Sequence, residues 1–142
     1  MSARVPPQSP VRLRWHAWWV LLGVLIMLWT LWMALTPDPG VTLDFPYGDK
    51  LLHATTFTCL MGWWGNVYRA RRARGWAALC CLAFGVFIEF AQWLDPPRDA
   101  DALDVLADSI GILLALLLLR SSLAGVLAGV ERGWLHWRDG QR

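Results

Sequence analysis

WAALCCLAFGVFIEFAQWLDPPRDADALDVLADSIGILLALLLL, residues 76–119, decides the fold. Two apolar runs, 76–94 and 102–119, flank a loop holding Pro96, Pro97 and the charged residues Asp95, Arg98, Asp99 and Asp101. A helix needs roughly 20 predominantly apolar residues to cross the hydrocarbon layer of a bilayer, and each run approaches that length. Proline lacks an N–H donor and interrupts a helix, so the double proline separates the runs into two spans joined by a stiff turn.

Upstream the pattern repeats. A third apolar run covers 49–67, followed by a cationic turn at 68–74 that carries Arg69, Arg71, Arg72 and Arg74. A fourth covers 17–35 and ends at Thr36-Pro37-Asp38-Pro39-Gly40. The run at 17–35 is too long for the apolar part of a secretory leader, and its one small-residue site is followed by Pro37; it reads as a retained helix. The expected fold is all-α: an integral membrane four-helix bundle. Residues 1–14 read as a disordered basic arm, 15–120 as the membrane domain with spans at 17–35, 49–67, 76–94 and 102–119, and 121–142 as a tail. In the tail Leu123, Val126, Leu127, Val130 and Trp134 recur at helical spacing. That run is too short to cross, and predicts a helix in the inner interface or in the cytoplasm.

Composition agrees. Of 142 residues 56% are hydrophobic and 17% charged, an apolar excess that points to lipid and leaves no length for a soluble domain. The net charge of +2 comes with cations clustered beside apolar runs, which suits headgroups and not nucleic acid. The arm, the middle loop and the tail hold eleven arginines, whereas the other loops and their flanks hold only Lys50 and Arg98. Lys and Arg concentrate in short cytoplasmic loops, so both termini are expected inside, in a bacterial plasma membrane. Trp15, Trp18, Trp19, Trp63, Trp64 and Trp76 fall near the inner boundary, and Trp32 and Trp93 near the outer one, as an aromatic belt would. Cys59, Cys80 and Cys81 lack metal-binding spacing and read as packing residues.

Ionisable groups within spans are costly unless paired or hydrated, so they are the informative residues. Asp49 and His53 are four apart and share a helix face, with Lys50 beside them. Glu89 and Gln92 lie near the end of the third span, with Gln92 a candidate hydrogen-bond partner for Glu89. Arg98 is in the following loop, Asp104 and Asp108 open the fourth span, and Gly111 permits close helix approach; Asp49 and Asp104 are also placed to cap the N-termini of their helices. All map to the outer end, where they are expected to converge in one pocket.

The order of these motifs resembles the VanZ-like membrane protein family: Asp49-Lys50-Leu51-Leu52-His53, then Glu89-Phe90-Ala91-Gln92, then Pro97-Arg98, then Asp104, Asp108 and Gly111. Two positions depart from the usual pattern, Asp108 standing where asparagine is common and Phe57 where tyrosine is common. The resemblance implies a membrane protein of the cell envelope; the founding member is an accessory factor in resistance to the glycopeptide teicoplanin.

Two functions are open at this stage. In one, Asp49, Lys50, His53, Glu89, Gln92, Arg98, Asp104 and Asp108 bind a lipid headgroup of the envelope. Lys50, His53 and Arg98 would hold a phosphate or carboxylate, and Glu89, His53 or Asp108 would serve as proton acceptor. A divalent cation held by Asp49, Glu89, Asp104 and Asp108 is a variant, since hard oxygen ligands suit magnesium or manganese. No nucleophile motif is present (no GxSxG, HExxH or P-loop), which argues against an enzyme. In the other, the cluster is a salt-bridge network fixing helix packing in a membrane scaffold or partner-binding protein. Expected partners are membrane lipid, a lipid-linked envelope precursor among them, and a second copy of the chain; nucleic acid is not expected.

Overall fold

The computed structural model describes residues 13–37, 40, 43, 45–94 and 101–141. Most of the basic arm, most of the loop after the first apolar run and Arg98 lie outside the described residues. Five α-helices are present, with no strand among the described residues: α1 (His16–Leu35), α2 (Gly48–Val67), α3 (Arg71–Trp93), α4 (Ala102–Leu118) and α5 (Val126–Asp139), with a 3-10 turn at Ser122–Gly125. α1 and α3 are each long and apolar enough to cross a membrane. The segments Ala102–Leu118 and Leu123–Asp139, bent by 83° at their break, pass the same test only as a pair. α4 alone has 17 residues, and α2 is diluted by Thr, Gly and Trp.

Three elements differ from the sequence expectation. Arg71, Arg72 and Arg74 belong to the first turns of α3 and not to a turn before it. Arginine and alanine are good helix formers, and Arg74 has somewhere to go: its Nε donates to the Gly65 carbonyl at 2.9 Å and its Nη1 to the Leu119 carbonyl at 3.4 Å. Gln92 does not meet Glu89. Its Nε2 donates to the Ala34 carbonyl at 3.0 Å, because α1 ends beside α3 and offers an acceptor nearer to hand. Asp104 does not cap α4; Asp101 does, its Oδ1 accepting from Leu103 N at 2.9 Å.

The most extensive packing is between α2 and α4. Contacts climb both helices together: Lys50 meets Asp104, His53 meets Asp108, Thr58 meets Gly111 and Gly65 meets Leu119. The two helices are therefore parallel neighbours, with their N-termini side by side. Gly111 makes this approach feasible, since a Cβ there would run into the Ala54 carbonyl oxygen. Thr58 Oγ1 donates to the carbonyls of Ala54 (2.7 Å) and Gly111 (3.1 Å) across the seam. Parallel helices add their dipoles. Carboxylates gather at the paired N-termini and the Arg74 guanidinium bridges carbonyls at the paired C-terminal ends, so both poles meet opposite charge. Phe57, Leu60, Met61, Cys81, Ile88, Ile112, Ala115 and Leu119 form the buried core between α2, α3 and α4.

The tail is fastened by a residue that its apolar spacing did not reveal. Glu131, 5% exposed, lies at the start of α1. Its carboxylate accepts from Arg14 N at 2.7 Å, Trp15 N at 2.9 Å and Trp19 Nε1 at 2.7 Å. A remote side chain thus satisfies N–H groups that a helix start leaves without partners. Burial alone would raise the Glu131 carboxyl, but the N–H groups of Trp15, Arg14 and Trp19 outweigh it and hold the group below the ordinary carboxylate range. A lowered folded value means that the clasp contributes fully above the ordinary Glu value of about 4.3 and is lost as pH falls below it. Glu131→Gln is expected to weaken docking of α5 by about 2 kcal/mol, the scale of hydrogen bonds to a charged group. Hydrogen exchange across 126–139, corrected for intrinsic rates, should rise in this variant at neutral pH and in the parent only at acid pH. Unchanged exchange in both would show that α5 is held by its apolar face alone.

Candidate functional site

The site grows from the parallel pair. The first turn of α2 carries Asp49 and Lys50; Asp101 and Asp104 stand opposite at the start of α4. Lys50 is half-buried, and its Nζ lies 2.6 Å from Asp49 Oδ2, 2.6 Å from Asp101 Oδ2 and 2.8 Å from Asp104 Oδ1. One ammonium thus ties the two helix starts together through three ion pairs. The Lys50 ammonium and the Leu103 N–H hold the Asp101 carboxyl below the usual range. Lys50 consequently does not stand free as an anchor for an external anion.

One turn further in, His53 Nδ1 is 2.9 Å from Oδ1 of Asp108, whose residue is fully buried. Asp108 Oδ2 faces Gly85 on α3, where a Cβ would strike it, and accepts no hydrogen bond among the described residues. Gly85 therefore makes room for this carboxylate. The other ring nitrogen, His53 Nε2, is 3.9 Å from Asp104 Oδ2. Glu89, 7% exposed, comes from the last turns of α3. Its Oε2 accepts from Asp101 N at 3.0 Å, while Oε1 has no hydrogen-bonding partner among the described residues.

Of the residues expected to converge, Asp49, Lys50, His53, Glu89, Asp104 and Asp108 do so. Gln92 lines the neighbouring cleft, and Arg98 lies outside the described residues. Asp101 and Gly85 were missed. The signal for Asp101 was in the sequence, since an Asp directly before an apolar helix is an N-cap in position to face Lys50; nothing local marks Gly85. Of the expected metal ligands, Asp49 is exposed and turned to Lys50 and Asp108 is turned to His53, which joins Glu89 and Asp104 in their place.

Beside the cluster lies a cleft of about 390 Å³ between α1, α2 and α3. Trp29, Met33, Leu52, Phe57 and Ile88 make most of its wall apolar, and Thr30, Asp49, His53, Thr56 and Gln92 supply the polar part. His53 belongs to both cleft and cluster.

A family model described as VanZ/LLP1 matches residues 18–124, well over half of the chain. The chain belongs to the VanZ/LLP1 family. The matched stretch runs from α1 to the 3-10 turn after α4 and includes every residue of the cluster. Glu131, which clasps α5 to α1, lies beyond it. No curated protein and no solved structure matches the chain. The apolar helices and VanZ/LLP1 membership are consistent with a membrane protein.

Proposed function

We propose that this VanZ/LLP1 protein spans the bacterial plasma membrane four times, with both termini cytoplasmic, and binds an envelope lipid at its outer face. The polar head would enter the cluster around His53 and the hydrocarbon segment would lie in the cleft beside Trp29 and Phe57. The observation that carries the reading is that His53 lines both. A polar group adjoining an apolar slot matches the two ends of an amphiphile. Among the described residues, Asp49, Glu89, Asp101, Asp104 and Asp108 face only Lys50 and His53 as cations or proton carriers. Such a cluster favours a head with hydrogen-bond donors, as a lipid-linked envelope precursor carries, over a bare phosphate. Participation in teicoplanin tolerance follows only by analogy with the family's founding member.

The arginine distribution supports the orientation. A cysteine placed within 95–101 is expected to react with an impermeant thiol reagent from outside intact cells, and protection there would reverse it. The alternative, a structural network in a membrane scaffold, is favoured by Lys50, whose three ion pairs join α2 to α4. Native mass spectrometry of the full chain extracted from membranes separates the two. The parent should carry a lipid, and Thr56→Trp, which fills the cleft without touching an ion pair, should lower its occupancy about tenfold at normal folded yield. A parent that emerges lipid-free, with Glu89→Gln lowering only folded yield, would leave the structural reading standing.

A further inference from the structure

Three groups with metal-ligating atoms meet at the outer ends of α2, α3 and α4. One ligand atom each from His53, Glu89 and Asp104 lies within 4.8 Å of the others. The ring nitrogens of His53 have separate duties. An ionised Asp108 can only accept, so its bond at 2.9 Å puts a proton on Nδ1. In a neutral ring Nε2 then presents a lone pair, 3.9 Å from Asp104 Oδ2. Acceptors face acceptors there, and the arrangement needs either a second proton on the ring or a cation between them.

Three further observations favour the cation. Glu89 is more than nine-tenths buried, and its Oε1 lacks a hydrogen-bonding partner among the described residues, which is costly for a carboxylate. The oxygens of Asp104 are divided: Lys50 holds Oδ1 at 2.8 Å, which leaves Oδ2 turned to His53. Finally, Asp108 stands behind His53 as carboxylates stand behind metal-bound imidazoles, fixing the tautomer and aiming the opposite nitrogen.

We propose that His53 Nε2, Glu89 and Asp104 bind one divalent ion of the first transition row, with Asp108 as the positioning residue behind His53. Ligand atoms about 2.1 Å from such an ion stand roughly 3–4 Å apart, so side-chain adjustments of under about 1 Å complete the site. One imidazole with two carboxylates suits zinc or manganese better than calcium or magnesium, which prefer oxygen alone. Three protein ligands would leave a coordination position for water or a further ligand. The inference does not depend on a lipid being bound, and its test uses metal alone.

The full chain, stripped of metal in detergent, is titrated with Mn²⁺ and followed by pulsed electron paramagnetic resonance. One Mn²⁺ per chain is expected, with nitrogen modulation from a single imidazole, and Zn²⁺ should displace it. His53→Gln should abolish the nitrogen signal. Asp108→Asn should keep that signal while weakening affinity about 10- to 100-fold, because the carboxylate that fixes the His53 tautomer and aims its Nε2 is gone. Asp139→Asn, at the far end of α5, should bind like the parent. Parent protein that takes up no Mn²⁺ below millimolar concentration, or binds it without nitrogen modulation, overturns the proposal. The spectrum of the parent decides this even if a variant fails to fold. A lipid-free parent that binds Mn²⁺ through one imidazole would remove the lipid reading and leave the metal site intact.

Discussion

Lys50→Met is expected to destabilise the protein by about 3 kcal/mol, the largest effect of any single charge removal at the paired N-termini of α2 and α4. Breaking a buried ion pair by deleting one partner costs about 3–5 kcal/mol, because the other charge remains without compensation. Here three carboxylates lose their cation together. Asp49 and Asp101 are solvated enough to tolerate that, which places the cost at the low end. Asp104 is not: its side chain is 13% exposed and lies beside Glu89 and His53. The measurement is unfolding in mixed micelles, with Asp104→Asn added to the Lys50→Met background. The second change should recover a large part of the loss. A loss below about 1 kcal/mol would show that water already screens the group.

Gly111→Ala is expected to cost about as much, for a reason unrelated to charge. The added methyl would land on the Ala54 carbonyl oxygen, with the Ala54 carbonyl carbon and Thr58 N both at 3.0 Å. All three are backbone atoms of α2, which cannot swing aside as a side chain does. The helices must part instead. Overpacking of this kind costs typically 1–3 kcal/mol and sometimes more. Separation also stretches the Thr58 bond to the Gly111 carbonyl and, one to two turns outward, the Lys50 pairs. Gly62→Ala is the control, because nothing lies within 4 Å of its added Cβ. Removing a helical glycine there should be neutral or stabilise by up to about 1 kcal/mol. Equal losses for the two variants would mean that α2 and α4 do not depend on this seam.

The elements themselves were legible in the sequence because apolar runs, prolines and caps are local signals. α1 and α2 begin within one residue of their expected starts, and α4 begins at the expected 102. The start of α3 is not legible locally, because arginines beside an apolar run mark topology and the acceptors for Arg74, the carbonyls of Gly65 and Leu119, lie across the fold. For the site, spacing alone showed that Asp49 with His53, and Asp104 with Asp108, share helix faces. Which acid meets which cation depends on the rotation and register of α2 against α4, set by Gly111 and Thr58 together. No window within one helix contains that information. The same limit hid Glu131, whose partners lie more than a hundred residues earlier in the chain.

The parallel pairing of α2 with α4 also has a consequence in time. His53 and Asp108 are 55 residues apart, and α3 must be made between them. At a synthesis rate of about 5–20 residues per second, α2 waits roughly 3–11 seconds before its partner exists. During that interval Lys50 and His53 lack their carboxylates on α4, and α2 is a poor membrane segment by its own composition. A chain arrested between α3 and α4 should therefore leave α2 at the water boundary or sheltered by the insertion machinery. On the proposed four-span topology, the helix would settle across the bilayer only when the acids of α4 arrive.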